Sequence, residues 1–254
     1  MSPRLRMIVA KLGLFPGLAY YLRAKHGSGL MQATPPGTTR SLWLRAGTSD
    51  AKVFEDIFLR DQYELPTDFV PETVVDAGAN VGYAAVFFAQ RLPGARIIAI
   101  EPEASNLDVL RLNAALYPNI EVVAGGLWSC DTRLVVCNPD EAKWAIQVRE
   151  APDDDDAADA LPAHSVETLM ARFRLGRIDL FKIDIEGSEL NLFSSLNVSR
   201  WLPKVRRLVI ELHDRAGYPA GITAAFDAAI APYPHTRRQR GEDTIVEFQG
   251  AIPC

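Results

Sequence analysis

The segment Val74-Val75-Asp76-Ala77-Gly78-Ala79-Asn80-Val81-Gly82-Tyr83 constrains this chain more than any other. An apolar run meets two glycines and passes into a helical stretch. A second apolar run, Ile97-Ile98-Ala99-Ile100-Glu101-Pro102, follows. Strand, glycine turn, helix and a strand ending in an acid make half of a nucleotide-type cofactor site in an open α/β sheet. Gly78 and Gly82 suit a turn that needs positive φ and brings backbone close to a ligand. The helix after them points its N-terminus at whatever the loop holds. Glu101, at the next strand end, can accept hydrogen bonds from both hydroxyls of a ribose.

The spacing argues against a dinucleotide. That fingerprint needs G-x-G-x-x-G so that backbone can approach a pyrophosphate. Asn80 and Tyr83 stand at its second and third glycine positions. Asp76, just before the turn, would repel a pyrophosphate and suit a ligand bearing an ammonium group. S-adenosylmethionine has a ribose, an adenine, an amino-acid end and a sulfonium, and no phosphate.

At 254 residues the chain can bury one sizeable α/β domain with extensions. Its formal net charge of −5 leaves no global basic footprint, so nucleic acid is not an expected partner. Cys130, Cys137 and Cys254 have neither metal-ligand spacing nor a disulfide pattern, which points to a reducing cytoplasm. No apolar run reaches membrane-spanning length. Residues 1–37 read as a basic, apolar extension broken from a domain over 38–254 by Gly27-Ser28-Gly29 and Pro35-Pro36-Gly37. Its segment from Met7 to Leu22 is interrupted by Lys11 and Pro16. It reads as a short helical hairpin packing on the core or on a second subunit of a homodimer, with membrane-surface contact as the weaker alternative.

Ser41–Arg45 reads as a strand and Asp50–Tyr63 as a helix, with Asp50 as its N-cap. Beyond Thr73, strands and helices alternate. Strands are expected at Thr73–Asp76, Arg96–Glu101, Ile120–Ala124, Ile178–Asp184, Val205–Leu212 and Thr244–Phe248. Helices are expected at Tyr83–Leu92, Ser105–Leu116, Val166–Phe173, Glu186–Leu196 and Thr223–Ile230. That order implies a mostly parallel sheet with helices on both faces. Leu134–Cys137 and Ala145–Arg149 read as an inserted hairpin around Asn138-Pro139-Asp140. The run Asp153–Asp156 reads as a solvated loop.

Two further strand ends are polar. Asp179-Leu180-Phe181-Lys182-Ile183-Asp184-Ile185-Glu186-Gly187-Ser188-Glu189 finishes an apolar strand with Lys182 and Asp184 on one face. Acids in a first helical turn account for Glu186 and Glu189. They do not account for Lys182 or Asp184, which are costly to bury unless paired or bound to something. Ile210-Glu211-Leu212-His213 likewise puts Glu211 and His213 on one face. An imidazole there can take a proton from a hydroxyl near neutral pH.

Together these motifs resemble the FkbM-type family of S-adenosylmethionine-dependent methyltransferases, over about Asp50 to Asp214. The resemblance implies a Rossmann-like class I methyltransferase fold with a seven-stranded sheet. It also implies methylation of hydroxyl groups, often on sugars or natural products. By position, Asp76, Gly78, Asn80 and Gly82 should line the methionine and ribose part, and Glu101 should hold the ribose. Gly126, Leu127 and Trp128 should lie near the adenine. Asp184, Glu186, Glu211 and His213 should face the acceptor. The chain has Glu167-Thr168-Leu169-Met170 where the family commonly has Leu-Asp.

The chemistry expected is an SN2 methyl transfer to an aligned hydroxyl. His213 or Asp184 would act as base, and Lys182 and Glu186 would fix geometry or charge. No resident metal is expected. The alternative is a divalent ion held by Asp184, Glu211 and a neighbouring acid. The rival functions are a non-catalytic subunit of a glycan assembly complex and a nicotinamide-dependent oxidoreductase. The missing glycines oppose the second.

Overall fold

A seven-stranded sheet forms the centre of the computed structural model, which describes residues 1–138, 146–152 and 160–249. The chain begins with helices α1 (Pro3–Leu12) and α2 (Leu14–His26), then the strand pair β1 (Leu30–Ala33) and β2 (Leu42–Arg45). Helix α3 (Asp50–Phe54) runs straight into a π turn, Glu55–Leu59. Strand β3 (Thr73–Ala77) leads through the glycine turn to α4 (Tyr83–Arg91), β4 (Arg96–Glu101), α5 (Ala104–Ala114) and β5 (Ile120–Ala124). A smaller four-stranded sheet follows, made of β6 (Gly126–Leu127), β7 (Thr132–Val136), β8 (Val148–Glu150) and β9 (Leu161–His164). The chain then returns through α6 (Val166–Phe173), β10 (Ile178–Ile183), α7 (Glu189–Ser194), α8 (Val198–Trp201), β11 (Val205–Glu211) and α9 (Ile222–Ile230). It ends in the hairpin β12 (His235–Arg240) and β13 (Asp243–Phe248).

The main sheet runs in the order β12-β13-β11-β10-β3-β4-β5. Strands β11, β10, β3, β4 and β5 are parallel, while β13 is antiparallel to both β11 and β12. Winding reverses between β3 and β10, which leaves a crevice above their C-terminal ends. Side-chain alternation sends Val74, Ile97, Leu180 and Val209 to one face, packed under α1 to α5. Val75, Ile98, Phe181 and Ile210 go to the other face, under α6 to α9. Both faces are covered, which is why these strands read as apolar runs. Leu180 is fully buried, and truncating such a side chain to Ala costs about 2–5 kcal/mol.

The expected strands of the main sheet form, Arg96–Glu101 and Ile120–Ala124 to the residue, and the Ser41–Arg45 strand appears as β2. The edge strand β12 was not expected. Its sequence His-Thr-Arg-Arg-Gln-Arg has no apolar alternation, because it pairs only with β13 and stays largely exposed. Asp50 is not the N-cap expected of it. Ser49 takes that position without a side-chain bond. Asp50 is fully buried and accepts from the backbone N–H, Nε and Nη2 of Arg45 at 2.8–2.9 Å. The helix expected from Glu186 begins only at Glu189, because Glu186 and Gly187 both have positive φ. The inserted hairpin exists as β7 and β8, and β9 and β6 extend it into a sheet. Pro139, Asp140 and Ala145 lie outside the described residues, as do Asp153–Asp156 and Cys254.

The N-terminal helices pack on their own chain. Ile8 is fully buried. Arg4 donates to Glu55 at 2.7 and 2.9 Å, and Tyr20 Oη donates to the Ala51 carbonyl at 3.1 Å. Leu14, Phe15 and Leu22 stay exposed. Among the described residues, no helix is long and apolar enough to cross a membrane.

Candidate active site

The crevice is a real cleft. Gly78, Asn80, Glu101, Gly126 and Leu127 line one end. Lys182, Asp184, Glu186 and Glu211 line the other. Tyr63 and Ile57 from the segment before β3, and Ile146 and Val148 from the smaller sheet, form walls that sequence reasoning did not anticipate.

The glycine turn is tight for reasons internal to the protein. Gly78 has φ +75, and a Cβ on it would sit 1.7 Å from the Asp184 carbonyl oxygen. The same edge is tied by the Asp184 amide, which donates to Ala77 O at 3.1 Å. Gly82 has φ +86, and its Cβ would meet Leu110 Cδ1 at 2.4 Å. Gly78 lines the cleft, whereas Gly82, expected there too, does not line it and serves packing against Leu110.

Glu101 organises this end. It is 4% exposed. Oε2 accepts from the Asn80 amide at 2.8 Å, and Oε1 accepts from the Glu103 amide at 3.0 Å and Asn106 Nδ2 at 3.1 Å. Burial pushes its carboxyl up to about 7, with these donors opposing the shift. Asn80 holds a left-handed φ of 51, and its Oδ1 is buried with no hydrogen-bond partner. A strained, unsatisfied polar side chain beside a cleft is the signature of a site completed by something else.

Asp76 does not reach the cleft. It is fully buried, and its ammonium partner is internal: Lys182 Nζ lies 3.1 Å away on the paired strand β10. Lys182 also donates to Gly78 O at 2.7 Å and lies 3.5 Å from Asp184 Oδ2. Burial alone would lower the lysine pKa, but Asp76 and Asp184 hold it well above its usual range. Burial raises Asp76, and Lys182 partly offsets that. Lys182 thus ties the floor of the crevice together. Trp128 also faces elsewhere. Its ring is buried with Leu134 and Ala163 in the smaller sheet, and its Nε1 donates to Glu150 at 2.8 Å.

His213 is deeper than its sequence position suggested. Its side chain is fully buried and does not line the cleft. Nδ1 lies 3.0 Å from Glu189 Oε1, while Nε2 lies 3.4 Å from Glu186, 3.4 Å from Glu211 and 3.7 Å from Asp184. Burial lowers the imidazole pKa, but the surrounding acids, Glu189 foremost, push it up to about 9. A histidine so placed cannot serve as the base that meets an acceptor. Glu186 and Glu211 are each raised to about 7, first by burial and then by repulsion from Asp184. Glu186 also has a left-handed φ of 52, and Tyr218 Oη donates to its Oε2 at 2.5 Å. Glu189, explained from sequence by the helix dipole alone, also accepts from the Ile185 and Gly187 amides at 3.0 and 2.7 Å. It is the hub of this end, and only the tertiary fold shows it.

The family model described as Methyltransferase FkbM domain matches residues 76–236, from the buried acid of β3 to the edge strand β12. This chain belongs to the FkbM methyltransferase family. The main sheet has the Rossmann-like class I methyltransferase arrangement expected of it. Over 204 residues, 66% of the chain, it is 29% identical to AMB antimetabolite synthetase AmbE of Pseudomonas aeruginosa, spanning 9% of that protein's length. It is 25% identical over 209 residues to Methyltransferase sdnD of Sordaria araneosa, covering 70% of this chain and 79% of that one. Among solved structures, the FkbM methyltransferase of Methylobacillus flagellatus is similar at 17% identity and a TM-score of 0.46, covering 79% of this chain and 54% of that one. The FkbM match covers both ends of the cleft, including all of Asp76 to His213.

Proposed function

We propose that the protein transfers a methyl group from S-adenosylmethionine to a hydroxyl of a sugar, a glycan or another natural product. The observation that carries this reading is one cleft with two unlike ends. A buried carboxylate and an unpaired amide oxygen, Glu101 and Asn80, stand at one end. Open acids, Asp184 and Glu211, stand at the other.

The residues fit the donor. Its three internal donors leave Glu101 about one of four lone-pair sites, which would accept one ribose hydroxyl. Asn80 Oδ1 would gain the donor it lacks. S-adenosylmethionine supplies the activated methyl on a sulfonium. The chain must align an oxygen behind that carbon and remove its proton. The acceptor oxygen forms a C–O bond as the C–S bond breaks. The electron pair would stay on sulfur, and the one proton would pass to a single cleft-facing acid, Asp184 or Glu211. Asp184 is the more open of the two, with 30% of its side chain exposed, and Lys182 holds it in place. Ile146 and Val148 give the acceptor end an apolar wall. One relative is named an antimetabolite synthetase, which keeps natural products beside sugars as acceptors.

Calorimetry with S-adenosylmethionine, S-adenosylhomocysteine and NAD tests the donor. The expected result is binding of the first two and none of NAD. Binding of NAD alone would overturn the reading.

A further inference from the structure

We propose that Asp184, Glu186 and His213 form a site for one divalent cation of the Mn²⁺ type at the acceptor end of the cleft. One oxygen from each acid and a ring nitrogen of His213 lie within 4.8 Å of one another. Ligand atoms about 2.1–2.2 Å from a common ion are separated by about 3–4.4 Å. The measured 3.4 Å from Nε2 to Glu186 and 3.7 Å to Asp184 fall in that range.

Acids alone would not make a site. The independent observation is Nε2 itself. It belongs to a fully buried side chain, has no hydrogen-bond partner, and faces three carboxylates. Asp184 Oδ1 opposite it is also buried without a partner. The other ring nitrogen fixes the tautomer. Glu189 already accepts from two backbone amides, so Nδ1 donates to it and Nε2 is the ring nitrogen left to face the acids. Either a proton or a metal ion must stand between Nε2 and these carboxylates, and a metal ion binds there by displacing the proton. A carboxylate holding the far nitrogen of an imidazole is the usual outer support of a metal-binding histidine. Tyr218 completes that support. Its ring lies 4.8 Å from the imidazole, and its hydroxyl orients Glu186.

Among the described residues, the neighbouring lysine and arginine pair with other oxygens. Lys182 contacts the other oxygen of Asp184, and Arg215 lies 3.6 Å from Glu211. One imidazole with carboxylates is a mixed donor set. It suits Mn²⁺ better than Mg²⁺, which favours oxygen alone, or a closed zinc site rich in sulfur. Three protein ligands leave coordination positions facing the cleft. The role of those positions rests on the methyl-transfer reading. There an acceptor hydroxyl would bind the ion and be acidified by it, and its proton would pass to Glu211, the remaining cleft acid.

The test is a titration of the chelated full chain with Mn²⁺ alone, followed by loss of the free-ion electron paramagnetic resonance signal. Calorimetry with S-adenosylmethionine on the same samples reports the donor end. One Mn²⁺ per chain is expected. His213→Gln should weaken it at least roughly a hundredfold, and Glu189→Gln, which removes the outer support, about ten- to a hundredfold. Asp184→Asn, at the most exposed ligand, keeps the test open if His213→Gln does not fold. Chain that binds S-adenosylmethionine but no Mn²⁺, or that binds Mn²⁺ equally after His213→Gln or Asp184→Asn, overturns the cation site. Chain that binds Mn²⁺ and no S-adenosylmethionine overturns the methyl-transfer reading and leaves the cation site standing.

Discussion

The two ends of the cleft hold their acids in opposite ways. Around Glu101, three donors from the Asn80 turn and the start of α5 meet one carboxylate. Around His213, the side chains of Asp184, Glu186, Glu189 and Glu211 surround one ring. The first end is pre-organised, with three donors already in place around its carboxylate. The second crowds four carboxylates around one ring, and burial and repulsion raise Glu186 and Glu211 to about 7. The two ends are thus built on different electrostatic principles within one cleft.

Substitutions should separate the ends. The largest effect is expected from Asp184→Asn. Turnover should fall about 10²–10⁴-fold, as for loss of a proton acceptor, with S-adenosylmethionine affinity nearly unchanged. Steady-state kinetics beside calorimetry reads both, and unchanged turnover would remove Asp184 from the reaction. Gly78→Ala should blur the two ends, because its Cβ would strike the Asp184 carbonyl at positive φ. A loss of about 3 kcal/mol or more is expected, roughly a 10 °C fall in melting temperature by calorimetric scan. A wild-type melting temperature would refute that contact.

The pH dependence of the Glu101 end comes next. Its folded pKa of about 7 lies above its ordinary value of 4.5. The ionised form accepts a ribose hydroxyl best, so affinity for S-adenosylmethionine should fall about tenfold from pH 8 to pH 6. For stability the sign is reversed. A carboxyl raised on folding contributes most below its unfolded pKa, and that contribution is lost as pH rises through 7. Glu101→Gln should weaken binding about tenfold at pH 8 and flatten its pH profile. A profile that stays steep would assign the titration to another group. The smallest effect is expected at Trp128→Phe. Loss of the bond to Glu150 should cost about 1 kcal/mol in denaturant unfolding and leave S-adenosylmethionine affinity unchanged. A large affinity loss would return Trp128 to the cleft.

What the sequence disclosed followed burial. Strands β3, β4, β5, β10 and β11 are apolar on both faces, so their positions and the polar residues ending them could be read directly. The edge strand β12 is polar and paired on one side only, and nothing in its pattern announces it. At the site, Asp184, Glu186 and Glu101 were legible because strand ends at a switch point are where a cleft opens. The misreadings were of depth and partner. Asp76 was given a ligand's ammonium and has Lys182 instead. His213 was placed against an acceptor and lies beneath the acids. Glu189 and Tyr218 were missed as hubs because their roles depend on contacts between α7, the end of β11 and the loop after it. Periodicity carries no record of such contacts.

The glycine at 78 carries one more consequence. Where a side chain would begin, a hydrogen meets the carbonyl of residue 184, and the neighbouring amide is bound back to Ala77. The loop cannot drift from β10 without breaking that bond, nor approach it more closely. The floor of the crevice is therefore a fixed gauge, set by the thickness of one atom. Adaptation to ligands of different size must come from the walls, at Tyr63, Ile146 and Val148, and the gauge itself stays constant.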